Sequence, residues 1–223
     1  MFVGHLGVGL ALQRIEPKIN LGILFFASLL IDILLGFFIL AGLEQVMVPK
    51  AYSQLHYLHF SFPYSHSLLA VAIWSLILFG VTYLAWPGDN RSKIKASTTI
   101  SAAVFLHWIC DWLEHPSQLP VAGNNSIMLG LGLWDNLEIA LALEVVLVAA
   151  GTALYLKGAK KIGRTARWGI VTFMILLTSV AITGQVAVTQ APKQNAFAVS
   201  IIIQAIIVCT LAAWIDRNRE NIA

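Results

Sequence analysis

The chain has 223 residues, of which 58% are hydrophobic and 11% charged, and its mean hydropathy is +0.79. Soluble domains carry about a quarter charged residues, so this composition excludes an ordinary soluble globule and points to an integral membrane protein. The net charge of +3 with a pI near 9.0 does not indicate nucleic acid as a partner, because the basic residues sit in short clusters between apolar runs.

Residues 1–15 are apolar but short of the roughly 20 residues that cross a bilayer, so they are expected to form a half-helix. Gly4, Gly7 and Gly9 give it a smooth side for close helix approach. After the polar break Arg14 to Lys18, residues 21–43 form the first full span, with Asp32 near its middle. Residues 44–65 read as an aromatic and His-rich interfacial loop, opening through Ser65-His66-Ser67 into a second span at 67–86. The third span, about 96–115, follows the basic turn Arg91, Lys93, Lys95 and ends in His107-x-x-x-Asp111-x-x-Glu114-His115. Residues 116–134 contain no charge and several turn formers, which suits a loop lying on the membrane. A fourth span at 136–156 carries Glu138 near its start and Glu144 within it. The fifth and sixth spans, 168–189 and 196–215, hold no ionisable residue, and Gln185 and Gln204 are expected to bond between helices. The fold class is therefore all-α: one polytopic bundle of six transmembrane helices plus an N-terminal half-helix, without a second domain.

Every Lys and Arg except Lys50 and Lys193 falls on one side of this arrangement, which the positive-inside rule assigns to the cytoplasm together with the C-terminus. Cys110 and Cys209 lie in apolar runs, so no disulfide framework is expected.

A His, Asp or Glu inside a membrane costs several kcal/mol unless paired, wetted or metal-bound, and so marks a candidate site. His107 and Asp111, at i and i+4, share one helix face and can hold one ion. Counting ~1.5 Å per residue puts Asp32 and His107 about 16 Å into a core of roughly 30 Å. Asp111 lies one turn away, Glu144 reaches a similar depth, His66 stands at the mouth of its span, and His5 climbs to the same level. Imidazoles and carboxylates without thiolates suit Zn²⁺, with Mn²⁺ or Fe²⁺ as alternatives. The expected metal ligands are His5, Asp32, His66, His107 and Asp111. Glu144 is the candidate general base or additional ligand, with Asp111 the second catalytic candidate. His56 and His59 read as interfacial residues, His115 and Glu114 as interface and cap, and Cys110 as a packing residue.

The order His5-Leu6-Gly7, Asp32, Ser65-His66-Ser67 and His107-x-x-x-Asp111 resembles a family of bacterial inner-membrane proteins described as membrane-bound metal-dependent hydrolases. The resemblance covers residues 1–145 and implies a metal centre in the bacterial inner membrane. Where that family has Pro-Asp-x-Asp, this chain has Ile31-Asp32-Ile33-Leu34, one acidic ligand fewer. Three functions follow as expectations. The first is a divalent-metal hydrolase acting on a lipid-borne ester or phosphoester. The second is a small proton- or cation-coupled transporter using the same groups, and the third a structural protein whose polar residues join helices.

Overall fold

A computed structural model describes residues 2–158 and 163–217; Lys160, Lys161 and Arg219, used in the charge count above, lie outside the described residues. The chain forms α1 (Val3–Gln13), α2 (Leu21–Leu40), α3 (Tyr52–Leu55), α4 (Leu68–Ala85), α5 (Asn90–Glu114), α6 (Leu137–Gly158), α7 (Arg164–Ala187) and α8 (Gln194–Asp216). Two short antiparallel ladders interrupt them: β1 (Gln45–Met47) with β2 (His59–Ser61), and β3 (Leu119–Pro120) with β4 (Met128–Leu129). Stretches expected to be loops thus hold hairpins, because a chain folded back over apolar helices must still pair its peptide groups.

The helices begin where the sequence supplies a side-chain acceptor for their free N–H groups. Asn20 accepts from Gly22 N, Ser67 from Ala70 N and Asp89 from Ser92 N, capping α2, α4 and α5. Among the described residues α2, α4, α6, α7 and α8 are long and apolar enough to cross a membrane, consistent with an integral membrane bundle. The bundle of long apolar helices behind a short N-terminal helix is as expected. The third expected span forms as α5, from Asn90 rather than from about residue 96, and with Arg91, Lys93, Lys95, Asp111 and Glu114 it is more polar than those five. It buries its polar face, including Ser97, Thr99, His107 and Asp111.

Two ends can be distinguished. At the basic end lie the 14–20 turn, the α4–α5 turn and the C-terminus of α8; there Lys95 pairs with Glu16 at 3.1 Å, and Asp216 accepts from Leu21 N and Tyr155 Oη. At the opposite, loop end lie the two ladders and the α7–α8 connection.

Helix α1 is short, as expected, and is pinned by backbone contact with α6. A Cβ on Gly151 would strike the Gly7 carbonyl, and one on Gly7 would lie 2.5 Å from the Leu147 carbonyl oxygen. Only glycine permits this crossing, the close approach that small residues provide between membrane helices. Along α2, Gly36 lies equally close to Ala198 and Ile202 of α8.

Candidate metal centre

Helices α1, α2 and α5 and the residue two before α4 deliver His5, Asp32, His107, Asp111 and His66 to one buried point. Each of the five expected ligands is present there. His107 Nε2 lies 2.9 Å from Asp111 Oδ2 and 3.9 Å from Asp32 Oδ1. His66 Nε2 lies 3.5 Å from Asp111 Oδ2, 3.6 Å from Asp32 Oδ1 and 3.4 Å from His107 Nε2. His5 stacks on the His107 ring at 3.8 Å, and its Nε2 lies 3.1 Å from Asp111 Oδ1.

Hydrogen bonds on the far side of two imidazoles assign their tautomers. His107 Nδ1 lies 2.7 Å from the Ser28 carbonyl oxygen, which can only accept, so Nδ1 carries a proton, and in the neutral imidazole Nε2 is then the nitrogen with the lone pair. His66 Nδ1 lies 2.7 Å from Ser65 Oγ, whose single hydroxyl proton is donated to Glu44 Oε2 at 2.7 Å. Ser65 Oγ must then accept from His66 Nδ1–H, so that the neutral form of His66 likewise presents Nε2. Glu44 is fixed in turn, its Oε1 accepting from Tyr64 N and Ser65 N, each at 2.8 Å. Burial lifts its carboxyl above the ordinary value, against the pull of the hydrogen bonds from Ser65.

Two imidazoles and two carboxylates therefore face one another at one largely buried point, a donor set of the kind that can hold a divalent cation. The spacing fits such an ion. Zinc bonds of about 2.0–2.1 Å in a tetrahedron put neighbouring donor atoms ~3.3–3.4 Å apart. The separations around His66 and His107 run from 2.9 to 3.9 Å. The trio His66, His107 and Asp111 is fully buried, and His5, Asp32 and His107 form an overlapping trio; either could hold a metal ion. His5 adds an independent sign: among the described residues neither of its ring nitrogens makes a well-aligned hydrogen bond, although the side chain is buried.

Glu144, the expected general base or additional ligand, makes a contact that the sequence did not announce. Its Oε2 accepts from Phe2 N at 3.0 Å and Gly4 N at 3.1 Å, capping the start of α1, and it belongs to neither trio. Depth along a helix placed it correctly, but depth carries no information about direction around the helix. His115 also departs from expectation: it caps α5 yet is buried, with Nε2 3.9 Å from Asp111 Oδ1, Nδ1 2.7 Å from Gln118 Nε2, and its ring against Trp134. Glu114 is buried and accepts from Trp134 Nε1. Neither trio contains His56, His59 or Cys110.

A cavity of about 480 Å³ adjoins the cluster, with Asp32, His66, Asp111, His115 and Glu144 among its polar lining. Asp32 is 26% exposed, whereas His66, His107 and Asp111 are each below 4%, so Asp32 is the most open of the ligand candidates on the cavity. Gln185 and Gln204, expected as links between helices, line its wall. Glu44 and Ser28 are partners of the cluster that sequence reasoning missed, and Ser65 entered it only within Ser65-His66-Ser67; the one signal for Glu44 was a lone acid at the end of an apolar span. Comparison with protein-family models, curated proteins and solved structures finds no match to this chain.

Proposed function

We propose that the protein is a membrane-embedded, metal-dependent hydrolase, with His66, His107 and Asp111 as the principal ligands of one divalent ion, zinc first. The observation that carries the reading is the convergence of the Nε2 atoms of His66 and His107 on two carboxylates at donor-to-donor spacing, each Nδ1 being engaged on the far side of its ring. Zinc bound by three such ligands supplies a water of pKa near 7 and positive charge for a developing oxyanion.

The chain's own groups then divide the work. Ser28 and the Ser65–Glu44 pair hold the two imidazoles in the tautomer that presents Nε2, as orienting partners of metal ligands do. His5, against Asp111 Oδ1 and the His107 ring, steadies both. Asp32 Oδ1, the most open of the ligand candidates on the cavity, accepts the proton of an attacking water as general base. Glu144 is occupied in holding α1, and through it His5.

The apolar lining of the cavity favours a lipid-borne ester or phosphoester. The charge distribution favours insertion with the basic end in the cytoplasm of a bacterial inner membrane, which puts the loop end outside. Elemental analysis of purified protein tests the metal: one divalent ion per chain is expected, reduced by His107→Ala and by Asp111→Ala. Metal-free wild-type protein that moves protons across liposomes would replace this reading with the transporter.

A further inference from the structure

The cavity beside the cluster has a mouth, and the exposed residues among its lining locate it. Val180 and Gly184 of α7 and Gln204 of α8 all line the cavity and are also solvent-exposed in the isolated chain, so the cavity opens on the flank of the bundle between these two helices. The loop end is roofed instead. Tyr57, Phe60, Phe62 and Trp134 cover it, with Tyr57 Oη bonded to Asp135 Oδ1 at 2.9 Å and the Trp134 ring 4.0 Å from His115.

The mouth lies well inside the apolar helices. Gln204 is ten residues into α8 and Val180 seven residues before the end of α7. At ~1.5 Å per residue these positions are roughly 15 and 10 Å from the loop end, which in a bilayer is hydrocarbon rather than water.

The two helices diverge to make this opening. At the basic end a Cβ on Gly169 of α7 would lie 2.9 Å from Ile215 of α8, and Tyr155, Ile170, Met174 and Ala212 are buried in one cluster. Towards the loop end Gly184 has nothing within 4 Å of its Cβ position. An apolar gap, walled by Leu35, Val180, Ala181, Phe197, Ile201 and Ala205, therefore runs from the flank to the carboxylate of Asp32.

We propose that this gap is a binding site for one hydrocarbon chain of a membrane lipid, which enters sideways between α7 and α8 and carries its polar linkage to Asp32 and His66. A solute arriving from water would meet the roof or the hydrocarbon, whereas a lipid already lies at the mouth. The lining matches an amphiphile, apolar along α7 and α8 and polar at the floor, and about 480 Å³ falls within the range of roughly 300–1,000 Å³ typical of ligand pockets. The proposal names the substrate class of the hydrolase reading and rests on it for the reaction, but not for the binding.

Full-length protein in phosphatidylethanolamine and phosphatidylglycerol vesicles, doped with a phosphatidylglycerol bearing a diazirine in one acyl chain, is photolysed and the labelled residues are mapped by mass spectrometry. Labelling concentrated on residues 180–185 and 197–205, lost in Gly184→Trp but kept in Leu76→Trp on the exposed face of α4, is expected. Gly184 has the open space for an indole, so the variant should fill the mouth without displacing a neighbour. Labelling spread evenly over the exposed helix faces and unchanged by Gly184→Trp would overturn the proposal, as would labelling by a diazirine fatty acid but not by the phospholipid. Metal content measured on the same samples separates the two readings. Concentrated labelling on metal-free protein sinks the hydrolase and keeps the chain site; even labelling on metal-loaded protein does the reverse.

Discussion

The Nε2 atoms of His66 and His107 lie 3.4 Å apart, and in the neutral form both rings present these nitrogens as lone pairs, since each Nδ1 carries its proton towards Ser28 or Ser65. A cation bridging them to the neighbouring carboxylates is what such a pair can hold. That relationship makes the cluster a candidate metal centre, and the predictions below test it.

Removing the metal should destabilise the protein. An ion present at a hundred times its Kd stabilises the folded chain by about 2.7 kcal/mol. For a chain of this size that corresponds to a Tm change of roughly 5–10 °C. Thermal unfolding in detergent, with and without a chelator, measures it; an unchanged Tm in chelated protein whose metal loss has been verified would contradict the assignment.

Glu44→Gln should weaken metal binding by about 10–100-fold while leaving the helices folded, since partners of metal ligands typically contribute that much. A Gln amide in place of Oε2 can donate to Ser65 Oγ, freeing the hydroxyl proton to turn towards His66 Nδ1 and move the imidazole proton to Nε2. Competition with a chromogenic chelator reads the affinity, and circular dichroism reads the fold. Ser65→Ala should weaken binding as well.

Asp32→Asn should separate binding from chemistry. The metal is expected to stay, because His66, His107 and Asp111 remain, whereas hydrolysis of a chromogenic lipid-like ester should fall by about 10²–10⁴-fold, the usual contribution of a general base. Glu144→Gln should change hydrolysis much less at saturating metal, since its contact is with the backbone of α1. Parallel rate and metal measurements on both variants decide which carboxylate moves the proton.

Gly151→Ala should lower stability by about 1–3 kcal/mol, the usual cost of overpacking. The added methyl meets the carbonyl of Gly7, a backbone atom that cannot rotate away. Unfolding in denaturing detergent gives the cost, and a loss no larger than that at the unencumbered Gly80 would show that α1 yields easily.

Much of this architecture is legible in the sequence because it rests on repeated, local signals. Apolar runs locate α2, α4, α6, α7 and α8, and the four-residue spacing of His107 and Asp111 brings them together on one face. Depth counting placed His5, Asp32 and His107 at one level because rise per residue is nearly constant. Direction around a helix is not constant in that sense, which is why Glu144 was assigned to the centre and was found at the start of α1. Glu44 was hidden for another reason: the β1–β2 pairing brings it to Ser65 across 21 residues of chain, and no local pattern encodes that. Ser28 contributes a backbone carbonyl, so its residue type carries no signal. His115 looked like an interfacial residue because nothing in the sequence announces the roof of Tyr57 and Trp134 above it.

Helix α6 offers no atom to either metal trio, yet it holds α1 at two heights: Glu144 at the first peptide groups and Gly151, two turns on, at the carbonyl of Gly7. Those two contacts act as a ruler for the insertion depth of His5. At Gly7 and Gly151 the two helices meet backbone against backbone, while Val3, Leu6 and Leu10 of α1 share a buried cluster with Val148 and Tyr155 of α6. The height of one imidazole in the centre is thus set from outside it, by a helix whose substitutions should be read in the metal's affinity before they are read anywhere else.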